Sequence, residues 1–199
     1  MPDQSLLDAV RRGNLAAVVA ALTQGAAIDA RDGQQQSPLL LAVQGDHRDV
    51  ALHLVARGAD INAEAANHDT PWLLAGALGR TEMLSAMLDT GKVDYAKRNR
   101  YGGNALIPAC ERGHVDTVKL LLDRSRIDVD HVNNLGWTAL LEAVMLSDGG
   151  PRHIEIVRLL LAAGANPNVA DKDGVTPLQH ARDRRYDAMA AMLKNAGEK

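Results

Sequence analysis

The sequence predicts an all-α fold in which six pairs of short helices stack side by side. An internal period is the first reason: similar segments start at intervals of 33, 33, 34, 34 and 38 residues, at the anchor positions Ser5, Pro38, Pro71, Ala105, Ala139 and Pro177. An alanine four residues after every anchor is the second. Composition is the third, because 46% of the 199 residues are hydrophobic but only 3% are aromatic and Phe is absent. A core of Leu, Val, Ile and Ala suits thin, closely spaced helices.

Each copy opens with the signals of a helix N-terminus. A Ser or Thr precedes the anchor proline, as in Ser37 and Pro38. Its side chain can cap the helix, and a proline at the first helical position gives up no hydrogen bond. A helix of about eight residues is expected to follow. Glycine then permits the backbone turn that ends it, as at Gly13, Gly79 and Gly113.

A second, amphipathic helix follows in each copy. The segments VDTVKLLLD (115–123) and IEIVRLLLA (154–162) carry apolar residues at helical spacing. A glycine closes most copies, and Ser125 stands in its place in the fourth. Helices this short are marginal alone, so each pair must bury its apolar face against the next. The recurring alanine lets the helices approach closely.

The fifth copy contains an insertion. Its interval is 38 residues, and MLSDGGPRH (145–153) carries the extra residues between the two helices. Two interpretations of the SDGGP segment (147–151) stay open: a tolerated surface loop, or an additional contact with a partner.

The repeated segments resemble a known family. SPLLLA, TPWLLA and TPLQHA are similar to the T-P-L-H-x-A motif of ankyrin repeats, and HIEIVRLLLAAGANPN resembles their second-helix portion. The proportions resemble small bacterial ankyrin-only proteins. The resemblance implies an ankyrin-repeat solenoid of six helix-turn-helix repeats with projecting β-hairpin loops. It also implies a single domain over residues 1–199, with repeats near 2–32, 33–65, 66–98, 99–132, 133–170 and 171–199.

The resemblance further implies protein binding through the hairpin tips and the exposed face of the first helices. In repeats four and five these positions hold Arg98, Arg100, Tyr101, Arg112, Leu135, Trp137, Met145 and Leu146. Trp, Tyr and Arg are enriched at binding hot spots. We therefore expect a partner segment that carries hydrophobic side chains and carboxylates. Alternatively, Trp137 folds against its own hairpin and the arginines are simply solvated.

No residue pattern predicts catalysis, and no catalytic residue, metal site or cofactor is expected. Cys110 and His114 have the spacing of one helical turn, but Cys110 directly follows a recurring alanine and is better explained as a core residue. His47, His114 and His153 share a register and are predicted to form hydrogen bonds between repeats. Trp72 follows its anchor directly and is predicted to be core.

The remaining features limit the partner and the compartment. A net charge of −3 disfavours nucleic acid, and no apolar stretch is long enough to span a membrane. One cysteine permits no internal disulfide, which fits the cytoplasm. Residues 11–27 superficially resemble a secretory signal, but they are better explained as a helix of repeat one. We expect a monomeric, non-enzymatic protein that binds an unidentified protein partner. The alternative is a self-associating structural protein.

Overall fold

A computed structural model describes residues 1–198 of the chain, which form two compact units. The first unit spans Met1–Arg100, and the second begins at Tyr101. The single domain over residues 1–199 stays a prediction, and Lys199, the end of the sixth expected repeat, lies outside the described residues. Across residues 1–198 the regular structure consists of helices, without strands.

Within residues 1–198, six helices lie in each unit. Those of the first unit are α1 (Pro2–Arg11), α2 (Leu15–Thr23), α3 (Pro38–Gln44), α4 (Arg48–Ala56), α5 (Pro71–Ala77) and α6 (Thr81–Asp89). Those of the second are α7 (Leu106–Glu111), α8 (Val115–Arg124), α9 (Ala139–Met145), α10 (Pro151–Ala162), α11 (Pro177–Asp183) and α12 (Asp187–Gly197). Successive pairs correspond to the six repeats. Within a unit, each helix contacts its pair mate and its counterpart in the next repeat.

The expected caps form at four of the repeats. The Ser37 hydroxyl accepts a hydrogen bond from the Leu40 backbone N–H at 3.2 Å, and Thr70, Thr138 and Thr176 do the same in their repeats. Repeat four lacks a Ser or Thr at this position, and the Asn104 side chain caps α7 instead. In repeat one, α1 begins at Pro2, so the anchor Ser5 lies inside the helix.

The recurring alanines form a buried row along the first helices. All six are at most 1% exposed: Ala9, Ala42, Ala75, Ala109, Ala143 and Ala181. Leucines of the same helices, such as Leu40 and Leu140, are each 1% exposed. The sequence pattern therefore correctly identified the residues through which neighbouring repeats pack, because a methyl side chain is what fits between closely approaching helices.

The turn between paired helices needs a positive φ, and the chain meets that need in two ways. Gly13, Gly79 and Gly113 have φ between 64° and 73°, as the sequence predicts. At the same register Asp46 has φ 57° and Arg185 has φ 59°. Both residues adopt a backbone conformation that glycine adopts more readily, and the sequence did not predict this conformation at either position.

The insertion in repeat five is shared between a loop and a helix. Because α10 begins at Pro151, His153 lies within the helix, whereas its counterpart His47 directly precedes α4. The loop that remains, 146–150, is held by repeat six. The Tyr186 hydroxyl donates to the Ser147 carbonyl at 2.8 Å, and the Arg184 guanidinium donates to the Met145 carbonyl at 3.2 Å. The two interpretations of segment 147–151 both remain open.

The loops expected as β-hairpins contain the hairpin turn but no strand ladder. Backbone hydrogen bonds within the loop close such turns, for example from Asp32 N to Gln36 O at 3.2 Å and from Asn133 N to Trp137 O at 3.0 Å. Consecutive loops are also joined, since Ala66 N donates to Gln34 O at 3.1 Å. The loop tips are thereby held in a row within each unit.

Candidate functional site

Exposed apolar side chains are concentrated in the second unit. Apart from Met1, the large hydrophobic residues exposed within residues 1–198 are Tyr101, Val132, Leu135 and Leu146, which are 46% to 53% exposed. Tyr101, Val132 and Leu135 lie on loops, and Leu146 caps the end of α9. The group on the loops, Tyr101, Val132 and Leu135, marks a candidate binding surface, and Leu146 lies at the opposite end of α9 from the loop of repeat five.

Backbone contacts bring the loops of repeats four and five together. Asn134 N donates to Tyr101 O at 2.9 Å, and the His131 ring bonds to Gly102 O at 2.6 Å. From repeat six, the Lys172 ammonium donates to Asn134 O at 2.6 Å. Tyr101 and the residue next to Leu135 are therefore directly linked, and the surface rests on three connected loops.

The corresponding loops of the first unit are polar. Gln34 occupies the register of Leu135 and is exposed, and the next loop carries His68. The Arg31 guanidinium donates to Gln35 O at 2.8 Å and to Glu64 O at 3.1 Å. Arg31 is thus engaged by backbone carbonyls of two loops, and the exposed side chains at this edge are polar, in contrast to those of the second unit.

The other site residues predicted in the second unit have mixed exposure. Arg112 is exposed at the end of α7, and Met145 is half-buried in the last turn of α9. Trp137 is also half-buried, and its backbone N–H and C=O both bond to Asn133. Both alternatives for Trp137 that the sequence leaves open therefore stay open.

Two predicted site residues, Arg98 and Arg100, lie at the end of the first unit. Arg98 is half-buried, and its guanidinium donates to Tyr95 O at 2.5 Å and to Lys97 O at 2.9 Å. Lys97 in turn pairs with Glu64 at 2.7 Å. Arg98 and Lys97 are thus engaged by their own unit. Arg100 is exposed. Their role in a contact surface stays a prediction.

A buried polar pair beneath the loop of repeat five was missed by the sequence reasoning. The Asn133 side-chain oxygen accepts hydrogen bonds from Leu135 N at 2.9 Å and Trp137 N at 3.0 Å, while its amide nitrogen donates to Glu142 Oε1 at 2.9 Å. Glu142 is 5% exposed. Burial and the negative charge of Glu111 raise the pKa of Glu142 to about 7, against the opposing effect of the Asn133 hydrogen bond.

The sequence gives only a partial signal for Glu142. It directly precedes the recurring Ala143, and the same register holds Leu41, Leu74 and Pro108 in repeats two to four. In repeats one and six, however, this register is polar and holds Asp8 and His180, so a comparison of the copies does not single out Glu142. Only its burial indicates that the carboxylate must be hydrogen-bonded or neutral.

The residues considered for chemistry have structural roles. Cys110 is fully buried, and burial, followed by the charge of Glu142, raises the pKa of its thiol well above the usual range. A thiol in that state is a poor nucleophile. The His47 ring bonds to Arg11 O at 3.1 Å and the His153 ring to Glu111 O at 3.0 Å, so both join neighbouring repeats as predicted. Trp72 is fully buried, with its ring edge-on to Tyr95 at 5.7 Å.

Neither metal binding nor membrane insertion is indicated by the described part of the chain. Within residues 1–198, no three His, Cys, Asp or Glu side chains are grouped as metal ligands would be. No helix in this range is long and apolar enough to cross a membrane.

Family models match most of the repeats. A model described as ankyrin repeats (many copies) matches residues 73–122 and 108–149, and one described as ankyrin repeat matches residues 34–66 and 135–172. Among curated proteins, the chain is 38% identical over 197 residues to ankyrin repeat protein YahD of Escherichia coli (strain K12). That alignment covers 99% of this chain and 97% of the relative.

Solved structures show the same fold. The ankyrin repeat protein EF0377 superposes with a TM-score of 0.93 at 41% identity, covering 96% of this chain and 97% of its own. An ankyrin repeat domain from Acinetobacter baumannii AYE gives a TM-score of 0.92 at 47% identity with the same coverage. The ankyrin repeat domain of Bcl-3 gives 0.83 at 32% identity, covering 97% of this chain and 86% of its own.

Proposed function

Because this chain belongs to the ankyrin-repeat family, whose domains generally mediate protein–protein interaction, we propose that it is a non-enzymatic module that binds a partner protein. The proposed contact surface consists of Tyr101, Arg112, Leu135, Trp137, Met145 and Leu146. The observation that carries the proposal is the contrast between the two units: large apolar side chains are exposed on the loops of the second and polar ones on those of the first.

The chemistry of this surface favours a particular kind of partner. The surface includes exposed apolar side chains, and removing them from water would stabilise a complex. These are Tyr101, Leu135 and Leu146. Arg112 lies at the end of α7 and can pair with a carboxylate at the rim of the interface. The partner segment should therefore carry hydrophobic side chains together with acidic ones. Arg98 and Arg100 of the first unit belong to the same sequence prediction.

Binding without catalysis also fits the residues once considered for chemistry. Cys110 is buried as a thiol, and the rings of His47 and His153 are hydrogen-bonded to backbone carbonyls of neighbouring repeats. With these groups used for structure, the proposal needs no cofactor or metal. It further takes the protein to be cytoplasmic, of bacterial origin and monomeric when no partner is present.

Co-purification with a matched pair of variants tests the proposal. Leu135→Asp places a charge in the proposed surface, and Gln34→Asp places the same charge at the same register of repeat two, where the side chain is also exposed. Each tagged variant is recovered from its native cells and the bound proteins are quantified by mass spectrometry. We expect Leu135→Asp to lose a partner about tenfold or more, as for a hot-spot residue, and Gln34→Asp to keep it.

Equal recovery of the same proteins by both variants would refute this placement of the surface. The structural alternative has its own readout, which is sedimentation velocity over a range of concentrations. If the wild-type chain self-associates and Leu135→Asp stays monomeric, the surface pairs with a second copy, and the self-associating function replaces the proposed one.

A further inference from the structure

The loop that carries Leu135 and Trp137 is organised by one side chain. The oxygen of the Asn133 amide accepts the backbone N–H of both residues, at 2.9 Å and 3.0 Å. The Asn133 backbone also bonds to Gly136 N at 2.9 Å and to Trp137 O at 3.0 Å. Any displacement of the Asn133 side chain therefore changes the backbone at both proposed contact residues.

The same side chain attaches the loop to the helix beneath it. The second polar end of the amide, its Nδ2, donates to Glu142 Oε1 at 2.9 Å. Asn133 is 7% exposed and Glu142 is 5% exposed, so water does not readily replace this bond. The link joins residue 133 of the loop to the middle of α9.

The surroundings of Glu142 favour its neutral form. Helix α7 contributes the charge of Glu111 and the buried thiol of Cys110. On the other two helices packed against α9, His153 of α10 bonds to Glu111 O and His180 of α11 bonds to Asp171. Neither imidazole is paired with Glu142. Burial and the nearby charge of Glu111 raise the pKa of Glu142 to about 7, which is close to the pH inside cells.

We infer that the charge of Glu142 controls how firmly the 131–137 loop is held on α9, and hence the geometry of the binding surface. While the carboxyl is neutral, it stays buried and accepts the Asn133 hydrogen bond. Once it is ionised, burial and the charge of Glu111 together outweigh the Asn133 hydrogen bond, which favours the ionised form. The carboxylate then moves toward water, which breaks that bond and releases Leu135 and Trp137 from a fixed conformation. A regulatory role for this switch rests on the proposed function, whereas the switch itself does not.

Repeat six provides an internal comparison without such a switch. Asp171 stands at the register of Asn133 and accepts the backbone N–H of Asp173 and Val175, at 3.0 Å and 2.9 Å. His180 stands at the register of Glu142 and donates to Asp171 at 2.7 Å. Here the carboxylate lies on the loop, where the Val175 N–H and then His180 lower the pKa of Asp171. This loop should stay attached at every pH near neutrality.

Nuclear magnetic resonance of the full chain at pH 6 and pH 8 tests the inference. If Glu142 has a pKa of about 7 when the loop is attached and an ordinary value near 4.5 when it is released, the open population rises about tenfold between these pH values. Protection factors of the Leu135 and Trp137 amides should fall by that factor, after correction for intrinsic exchange. Those of Asp173 and Val175 should not change.

The Glu142→Gln variant is the control, because its amide oxygen still accepts from Asn133 but cannot ionise. In this variant we expect the protection factors of the loop amides to be independent of pH. In the wild type, the chemical shifts of the Asn133 side-chain N–H groups should change with a midpoint near pH 7, and in the variant they should stay constant. Constant protection in the wild type, or the same change in both proteins, would overturn the inference. Because no partner is present, either result is independent of whether Leu135→Asp abolishes co-purification.

Discussion

Replacing Glu142 with Gln should remove a pH dependence of the chain's stability. The pKa of Glu142 rises from an ordinary 4.5 to about 7 in the folded chain, so between these values the folded state binds the proton and the unfolded state does not. Stability is therefore greatest at low pH and declines as the pH rises through 7. A rise in the pKa from 4.5 to about 7 corresponds to a total loss of about 3 kcal/mol in the free energy of unfolding. About 2.5 kcal/mol of this loss falls between pH 5 and pH 8.

The assay is urea unfolding followed by circular dichroism at pH 5, 6, 7 and 8, for the wild type and Glu142→Gln in parallel. Other groups titrate equally in both proteins, so the difference between their free energies of unfolding isolates residue 142. That difference should move in favour of Glu142→Gln by about 2.5 kcal/mol from pH 5 to pH 8. A constant difference would mean that the folded chain ionises Glu142 without cost, and the reasoning would fail.

The variant Glu111→Gln separates the two causes of the shift. It removes the negative charge that acts on Glu142 from α7 but leaves the burial unchanged. Because burial is the larger cause, the decline in stability with pH should become smaller and end at lower pH, but it should remain. Complete loss of the pH dependence would assign the shift to Glu111 instead.

The remaining predictions concern the packing and the turns. Ala143→Leu should destabilise the chain by about 1–3 kcal/mol in the same urea assay, because Ala143 is fully buried where α9 contacts its neighbours. Arg185→Gly should stabilise it by about 0.5 kcal/mol, since φ at this turn is 59°. The comparison variant Lys194→Gly, inside α12, should instead cost about 1 kcal/mol. A destabilised Arg185→Gly would show that the Arg185 side chain contributes more than the turn costs.

Much of the fold is predictable because the same contact recurs in every repeat. The recurring alanines, the Ser or Thr caps and the histidine contacts each repeat a local requirement, so the period exposes them. The period does not reveal positions where a different type of residue meets the same local requirement. Asp46 adopts the turn conformation without glycine, and Asn104 caps a helix without Ser or Thr.

The candidate site is less predictable, because it depends on side-chain packing that no period encodes. Exposure at Tyr101, Leu135 and Leu146 followed from register alone and is confirmed. Trp137 is half-buried, a degree of burial that its register does not specify. The Asn133 to Glu142 bond joins residues nine apart and involves an environment supplied by α7, so it emerges only in three dimensions.

The hold of repeat six on the 146–150 loop determines how much of this protein could be transplanted. Tyr186 and Arg184 fix the carbonyls of Ser147 and Met145, immediately on either side of Leu146. A graft of repeat five onto another scaffold would carry the apolar residues but leave this loop without its support. The smallest portable version of the surface is therefore repeats four to six together, because repeat six supports a loop that repeat five alone cannot hold.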